Sequence, residues 1–208
     1  MLRVLGKASS INVRKVLWTC AELGLEYRRE DWGSGFAATD SQAFLALNPN
    51  GLVPVLVDGP HVLWESNSIC RYLAAREGRE DLLPAAPWPR ARVERWMDWQ
   101  ATELNGAWRP AFLALVRRDP AFAAPGLVAA SLRDWAGRMA ILEAQLAATG
   151  AFVAGPGFTL ADVVLGLSVN RWLLTPMDPR PVLPAVAAWY ARLAGRPGFA
   201  AHCGNGIP

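Results

Sequence analysis

Leu2-Arg3-Val4-Leu5 alternates briefly and then meets Gly6, whereas residues 13–25 carry apolar side chains at Val13, Val16, Leu17, Cys20, Ala21 and Leu23, close to a helical period. The pattern predicts a strand, a turn and a helix, with Gly24 ending the helix as a left-handed cap. A partly exposed strand follows at Glu26-Tyr27-Arg28-Arg29-Glu30, which completes a β-α-β unit. Residues 32–43 are rich in small and polar residues and predict an irregular loop, with a short helix around Phe44, Leu45 and Leu47 before a turn at Asn48-Pro49-Asn50-Gly51. The runs Val53-Pro54-Val55-Leu56-Val57 and His61-Val62-Leu63-Trp64 flank Asp58-Gly59, a hairpin signal because glycine accepts the positive φ of the turn. Ile69, Cys70, Tyr72 and Leu73 then fall on one helical face, so β-β-α follows β-α-β.

A break containing Gly78, Pro84, Pro87 and Pro89 separates this segment from the rest. Beyond it the periodicity is helical throughout, over residues 90–115, 126–148, 160–173 and 183–194. The expected organisation is an α/β domain over residues 1–78, a linker over 79–89 and an all-α domain over 90–208. Phe158-Thr159-Leu160-Ala161-Asp162-Val163 carries a helix-start signature: Thr159 as N-cap, Asp162 at N3 as a carboxylate variant of the capping box, and Phe158 and Val163 placed for a hydrophobic staple. Asp162 is therefore expected to be a buried structural carboxylate.

Composition narrows the function. Of 208 residues, 52% are hydrophobic, enough for a packed core, and the net charge of +3 lacks any long like-charge run, which argues against nucleic acid as a partner. Cys20, Cys70 and Cys203 lie far apart without metal-ligand spacing, so neither a disulfide framework nor a structural zinc is expected. His61 and His202 are the two histidines and no GxSxG elbow is present, which leaves little basis for a Ser-His-Asp hydrolase. The uncharged stretch 144–161 is interrupted by Gly150, Gly155, Pro156 and Gly157, so no membrane span is expected. The first residues lack the apolar segment of a signal peptide, and a cytoplasmic location is expected.

The β-α-β-β-β-α order joined to an all-α segment, with Asn48-Pro49-Asn50-Gly51-Leu52-Val53-Pro54-Val55-Leu56, then Glu65-Ser66-Asn67-Ser68-Ile69, then the Phe158 to Asp162 capping segment, resembles the cytosolic glutathione transferases. The tail with Leu183-Pro184, Trp189-Tyr190-Ala191-Arg192-Leu193 and Arg196-Pro197 is similar to that family's last helix. The resemblance implies a thioredoxin-like N-terminal domain that binds glutathione as co-substrate, an all-α helical-bundle C-terminal domain that shapes an electrophile pocket, and a homodimer. It requires no metal.

The resemblance also assigns residues. Pro54 would be cis, and Val53 would offer its backbone N–H and C=O to the cysteinyl part of glutathione. Ser66, at a helix N-terminus that presents unpaired N–H groups, would bind the γ-glutamyl carboxylate through N–H and hydroxyl. Glu65 would neutralise the γ-glutamyl ammonium, and Asn50 would be a further glutathione contact. Leu52 stands where many relatives place a cation for the glycyl carboxylate.

Thiol activation is expected at Ala8-Ser9-Ser10-Ile11-Asn12-Val13, between the first strand and first helix. A cysteine-type thiol with pKa of about 8.5 is mostly protonated at neutral pH. Lowering it by about 2 pH units takes roughly 2.7 kcal/mol, within reach of a hydroxyl or amide donor plus a helix N-terminus. No tyrosine or cysteine lies in this segment, so it is similar to the serine-type and asparagine-containing bacterial branch. Ser10 matches the family's activating hydroxyl and Asn12 its activating amide, with Ser9 the alternative hydroxyl; all three also suit simple helix capping. Trp108, Arg109 and Phe112 are the expected electrophile-pocket residues, although an aromatic stripe at helical spacing equally suits a core.

The reaction expected is attack of the glutathione thiolate on an electrophilic carbon or a peroxide, as in detoxification. Glutathione-dependent isomerisation or dehalogenation uses the same site, and a non-catalytic binding module with this fold is the remaining alternative.

Overall fold

The computed structural model describes all residues, 1–208, and divides into two compact units. The first comprises residues 1–85 with 195–207. The second comprises residues 86–194 with Pro208.

The first unit is built on a four-stranded mixed sheet of β1 (Leu2–Leu5), β2 (Tyr27–Glu30), β3 (Val55–Asp58) and β4 (His61–Trp64), in the order β2-β1-β3-β4. β1 and β2 are parallel, as a β-α-β crossover requires, and the remaining pairs are antiparallel. Gly59 takes φ +56 in the β3–β4 turn, the conformation its sequence signal predicts. The crossover helix α1 (Ile11–Leu23) starts at Ser10, whose hydroxyl accepts from the Val13 N–H, and stops at Gly24 with φ +66. Leu25 N–H closes that cap on the Cys20 carbonyl at 2.9 Å. The short α2 (Gln42–Leu45) buries Phe44 against Leu5 and Val55, and α3 (Ser66–Arg76) packs on α1.

Residues 195–207 belong with this first unit, not with the helical segment in which the sequence pattern placed them. Arg196 donates to Glu22 at 2.5 Å, Trp18 meets Phe199 edge-on at 5.9 Å, and Arg14 donates to the Ile207 carbonyl at 2.8 Å. A short helix, α9 (Phe199–His202), lies in this tail. The boundary itself falls between residues 85 and 86, inside the proline-rich segment.

The second unit is helical: α4 (Pro87–Trp99), α5 (Asn105–Leu115), α6 (Pro125–Thr149), α7 (Leu160–Leu174) and α8 (Pro184–Leu193). The helix expected over 90–115 is interrupted by a π-helical turn at Gln100–Leu104. Gln100 is fully buried there, and its amide donates to Asn105 Oδ1 at 2.9 Å and Ser168 Oγ at 3.0 Å. Satisfying a buried amide shifts the helical phase, which hydrophobic periodicity alone does not register. α7 is buried along almost its whole length around Trp172 and the Thr159–Asp162 capping box. No helix is long and apolar enough to cross a membrane, and no cluster of three or more His, Cys, Asp or Glu side chains could hold a metal.

Candidate active site

The groove of the first unit is assembled at the point where β1 ends. Gly6, with φ +146, lets the β1–α1 turn pass against the Val53 segment: a Cβ at this position would lie 2.5 Å from Val13 Cγ2 and 2.9 Å from Val53 Cβ. The turn then delivers Ser10 as N-cap and Asn12 in the first turn of α1, both partly exposed. Opposite, the Val53–Pro54 peptide is cis and immediately precedes β3. Val53 therefore lies outside the regular ladder, which leaves its backbone groups available to an extended ligand.

Asn12, Asn50, Val53, Pro54, Glu65 and Ser66 line this one groove, together with Asn48 and Leu52. Five glutathione-contact residues expected from sequence and one of the two thiol-activating candidates thus converge from three separate segments. Ser10 is not itself a lining residue but stands at the N-cap of α1, two residues before Asn12; its Oγ accepts from the Val13 N–H at 3.5 Å and keeps its own O–H for donation at the groove's edge.

Glu65 is the N-cap of α3 and holds φ +70, a region disfavoured for any side-chain-bearing residue, without capping the helix through its carboxylate. The strained backbone leaves that carboxylate in the groove and leaves the first amides of α3 without a side-chain cap. Ser66 is buried at the start of this helix, where an N–H, a hydroxyl and the positive end of the helix dipole coincide. The arrangement suits a zwitterionic α-amino acid group, with the carboxylate on Ser66 and the ammonium on Glu65.

Two residues that carry this geometry were not singled out from the sequence. Asn48 is buried; its Nδ2 donates to the Leu52 carbonyl at 2.7 Å, while its Oδ1 accepts from the Asn50 N–H at 3.0 Å and from the Asn50 side-chain amide at 2.9 Å. Its side chain holds the 48–52 loop in place of secondary structure. Gly6 is the other; a glycine directly after a strand is its available signal. Leu52 is exposed, and no cation lines the groove, so amides are the groups available to a glycyl carboxylate.

In the second unit, Trp108 and Phe112 are buried rather than open to a cavity. Their rings meet edge-on at 5.5 Å, Trp108 also approaches Trp135, and the Arg171 guanidinium lies 4.3 Å from the Trp108 ring centroid and 3.9 Å from that of Phe112. Arg109 is exposed on the same helix. Asp162 is fully buried and accepts from Val153, Thr159 and Trp189, in keeping with a structural role. Arg14 and Arg71 sit on α1 and α3, and Arg14 anchors the 205–207 tail.

A thioredoxin-like sheet with a cis-proline loop, an uncapped helix start beside it and an all-helical second unit defines the glutathione-transferase fold. Residues 9–76 match the glutathione S-transferase N-terminal domain and residues 125–192 its C-terminal domain. The chain is 37% identical over 199 residues to glutathione S-transferase GstB of Escherichia coli (strain K12), covering 95% of each chain. It is 34% identical over 206 residues to glutathione S-transferase 3 of Zea mays, covering 95% of this chain and 91% of the maize protein. The structure of the theta class glutathione S-transferase from Xanthomonas axonopodis pv. citri with glutathione bound is similar at a TM-score of 0.90 and 40% identity, covering 97% of this chain and 96% of that one. The chain belongs to the glutathione S-transferase family.

Proposed function

We propose that this protein binds glutathione in the groove of its first unit and activates the thiol for transfer to an electrophile, with Asn12 as the principal thiolate donor and Ser10 as the second. The observation that carries this reading is the convergence of Asn12, Asn50, Val53, Pro54, Glu65 and Ser66 on one groove. Ser66 and Glu65 hold the γ-glutamyl carboxylate and ammonium, and the Val53 backbone aligns the cysteinyl residue as an added extended strand. The thiol proton leaves to solvent. The thiolate is stabilised by the Asn12 amide, the Ser10 hydroxyl and the N-terminus of α1.

The thiolate sulfur then attacks an electrophilic carbon; the C–S bond forms as the bond to the leaving group breaks with its electron pair. With a peroxide, sulfur attacks oxygen and the O–O bond breaks, and a second glutathione completes disulfide formation. Rate enhancement comes from thiolate population at neutral pH and from proximity. Trp108, Arg109 and Phe112 belong to the acceptor side of this proposal through Arg109, the exposed member; the two buried rings support its helix.

A homodimer and a cytoplasmic location complete the proposal. A 580 Å³ groove between α4 and α6, lined by Arg95, Trp96, Trp99 and Ile141, supports the first, and sedimentation at micromolar concentration tests it. Three buried free thiols suit a reducing compartment.

Ultraviolet difference titration of the glutathione complex across pH tests the mechanism. Wild type is expected to form bound thiolate with an apparent pKa about 2 units below that of free glutathione. Asn12→Ala is expected to lose most of that depression and Ser10→Ala a smaller part. Binding of glutathione only as the thiol overturns the mechanism.

A further inference from the structure

One of the chain's two lysines is Lys15, on α1, and it is buried to 1% exposure. Its ammonium donates to Asn67 Oδ1 at 3.2 Å. Asn67 is itself buried and is the second residue of α3, directly after Ser66. The same ammonium acts on Cys70, one turn further along α3, opposing the upward push that burial gives this thiol. Lys15 thus sits against the inner face of the first turn of α3, while Glu65 and Ser66 line the groove. Burying an ammonium costs several kcal/mol, and hydrophobic α1–α3 packing has no need of one.

We propose that Lys15 is a positioning residue for the carboxylate subsite. Its hydrogen bond to Asn67 fixes the first turn of α3, so that the Ser66 N–H and hydroxyl stay aimed at the groove. Its charge, screened little inside the protein, adds to the positive end of the α3 dipole where the ligand carboxylate arrives. Glu65 itself provides no side-chain cap to this turn, and its backbone is in a disfavoured conformation. The inference rests on the reading of Ser66 as the carboxylate-binding residue.

The test compares two ligands by calorimetry: glutathione, and an analogue in which 4-aminobutanoyl replaces γ-glutamyl and so lacks only the α-carboxylate. Lys15→Met is expected to weaken glutathione binding about tenfold or more while changing analogue binding less than twofold, and Lys15→Arg is expected to recover part of the loss. Asn67→Ala severs the same link from the other side and is expected to give the same selective loss, which keeps the test decisive if Lys15→Met does not fold. Equal loss for both ligands, or no loss, overturns the positioning role. Ser66→Ala serves as the separate control: if it too weakens both ligands equally, the carboxylate subsite itself is misassigned, and the failure lies there and not with Lys15.

Discussion

The indole N–H of Trp189 on α8 donates to Asp162 Oδ1 at the start of α7 across 2.8 Å. The same oxygen accepts from the Val153 N–H at 2.9 Å, while Oδ2 accepts from the Thr159 N–H at 2.9 Å and its hydroxyl at 3.1 Å. One side chain therefore caps α7, pins the 151–159 loop and fastens α8. Asp162→Asn keeps the size but turns a donor toward these donors. It is expected to destabilise the protein by about 2–4 kcal/mol, read as a loss of roughly 5–15 °C in Tm.

The pH dependence of that difference follows from burial. Burial pushes the Asp162 carboxyl up from 3.8 to about 6, against hydrogen bonds from Val153, Trp189 and Thr159 that pull it down. A folded-state pKa above the unfolded value means that the folded protein binds the proton more tightly. The associated stability is fully present below pH 3.8 and is lost as pH rises through about 6, an amount of about 3 kcal/mol. Denaturant titrations of wild type and Asp162→Asn at pH 4 and pH 7 are expected to show the wild-type margin narrowing at the higher pH. A margin that widens instead would mean that the hydrogen bonds outweigh burial.

Gly6 separates fold from site in a different way. Gly6→Ala brings a methyl group against Val13 and against Val53, the residue assigned to the cysteinyl backbone, at a φ that side chains avoid. We expect a stability loss of about 2–3 kcal/mol and, at temperatures where the variant remains folded, weaker glutathione binding by isothermal calorimetry. Unchanged affinity would show that the β1–α1 turn can move away without displacing Val53.

Much of this was legible in the chain itself, for identifiable reasons. Strand alternation, the helical periods, Gly24 and the Asp58-Gly59 turn are local signals, and each marks an element that the structure contains within a few residues. The Thr159–Asp162 box was legible because both partners lie within one helical turn. Three features were not. The π-helical turn depends on Gln100 reaching Ser168, the attachment of residues 195–207 to the first unit depends on Glu22 and Trp18, and the loop-holding role of Asn48 depends on its burial. Side-chain pairings of this kind, whether across the fold or within one loop, leave no periodic trace in sequence. Trp108 and Phe112 illustrate the limit from the other direction: spacing put them on one helical face, and only the structure shows that face turned toward Trp135 and Arg171.

Glu65 allows a trade between stability and function to be measured at one position. Its φ of +70 is accessible to glycine without steric cost, so Glu65→Gly relieves strain of about 1–3 kcal/mol while adding chain entropy to the unfolded state. We expect a Tm equal to or above that of wild type together with a loss of glutathione affinity of about tenfold or more, because the carboxylate proposed to face the γ-glutamyl ammonium is gone. Glu65→Gln should lose affinity without the gain in Tm. A fall in both quantities for the glycine variant would indicate that the Glu65 side chain supports the fold after all.

The protein's own thiols govern how the glutathione titration is read. Burial pushes the Cys20 thiol up to about 12 and the Cys70 thiol up to about 11, and Cys203 is also buried. At pH 8 a thiol with pKa near 12 is about one part in ten thousand thiolate, and reaction with an aromatic disulfide reagent proceeds through the thiolate. The native protein is expected to show no rapid thiol reaction at pH 8, and the denatured protein three equivalents. The ligand-free protein should likewise add no thiolate absorbance between pH 5 and 9, so that any absorbance appearing with glutathione belongs to the ligand. Rapid labelling of one native cysteine would instead indicate that a buried segment opens readily, and the spectroscopic assignment would then require the corresponding Cys→Ser variant.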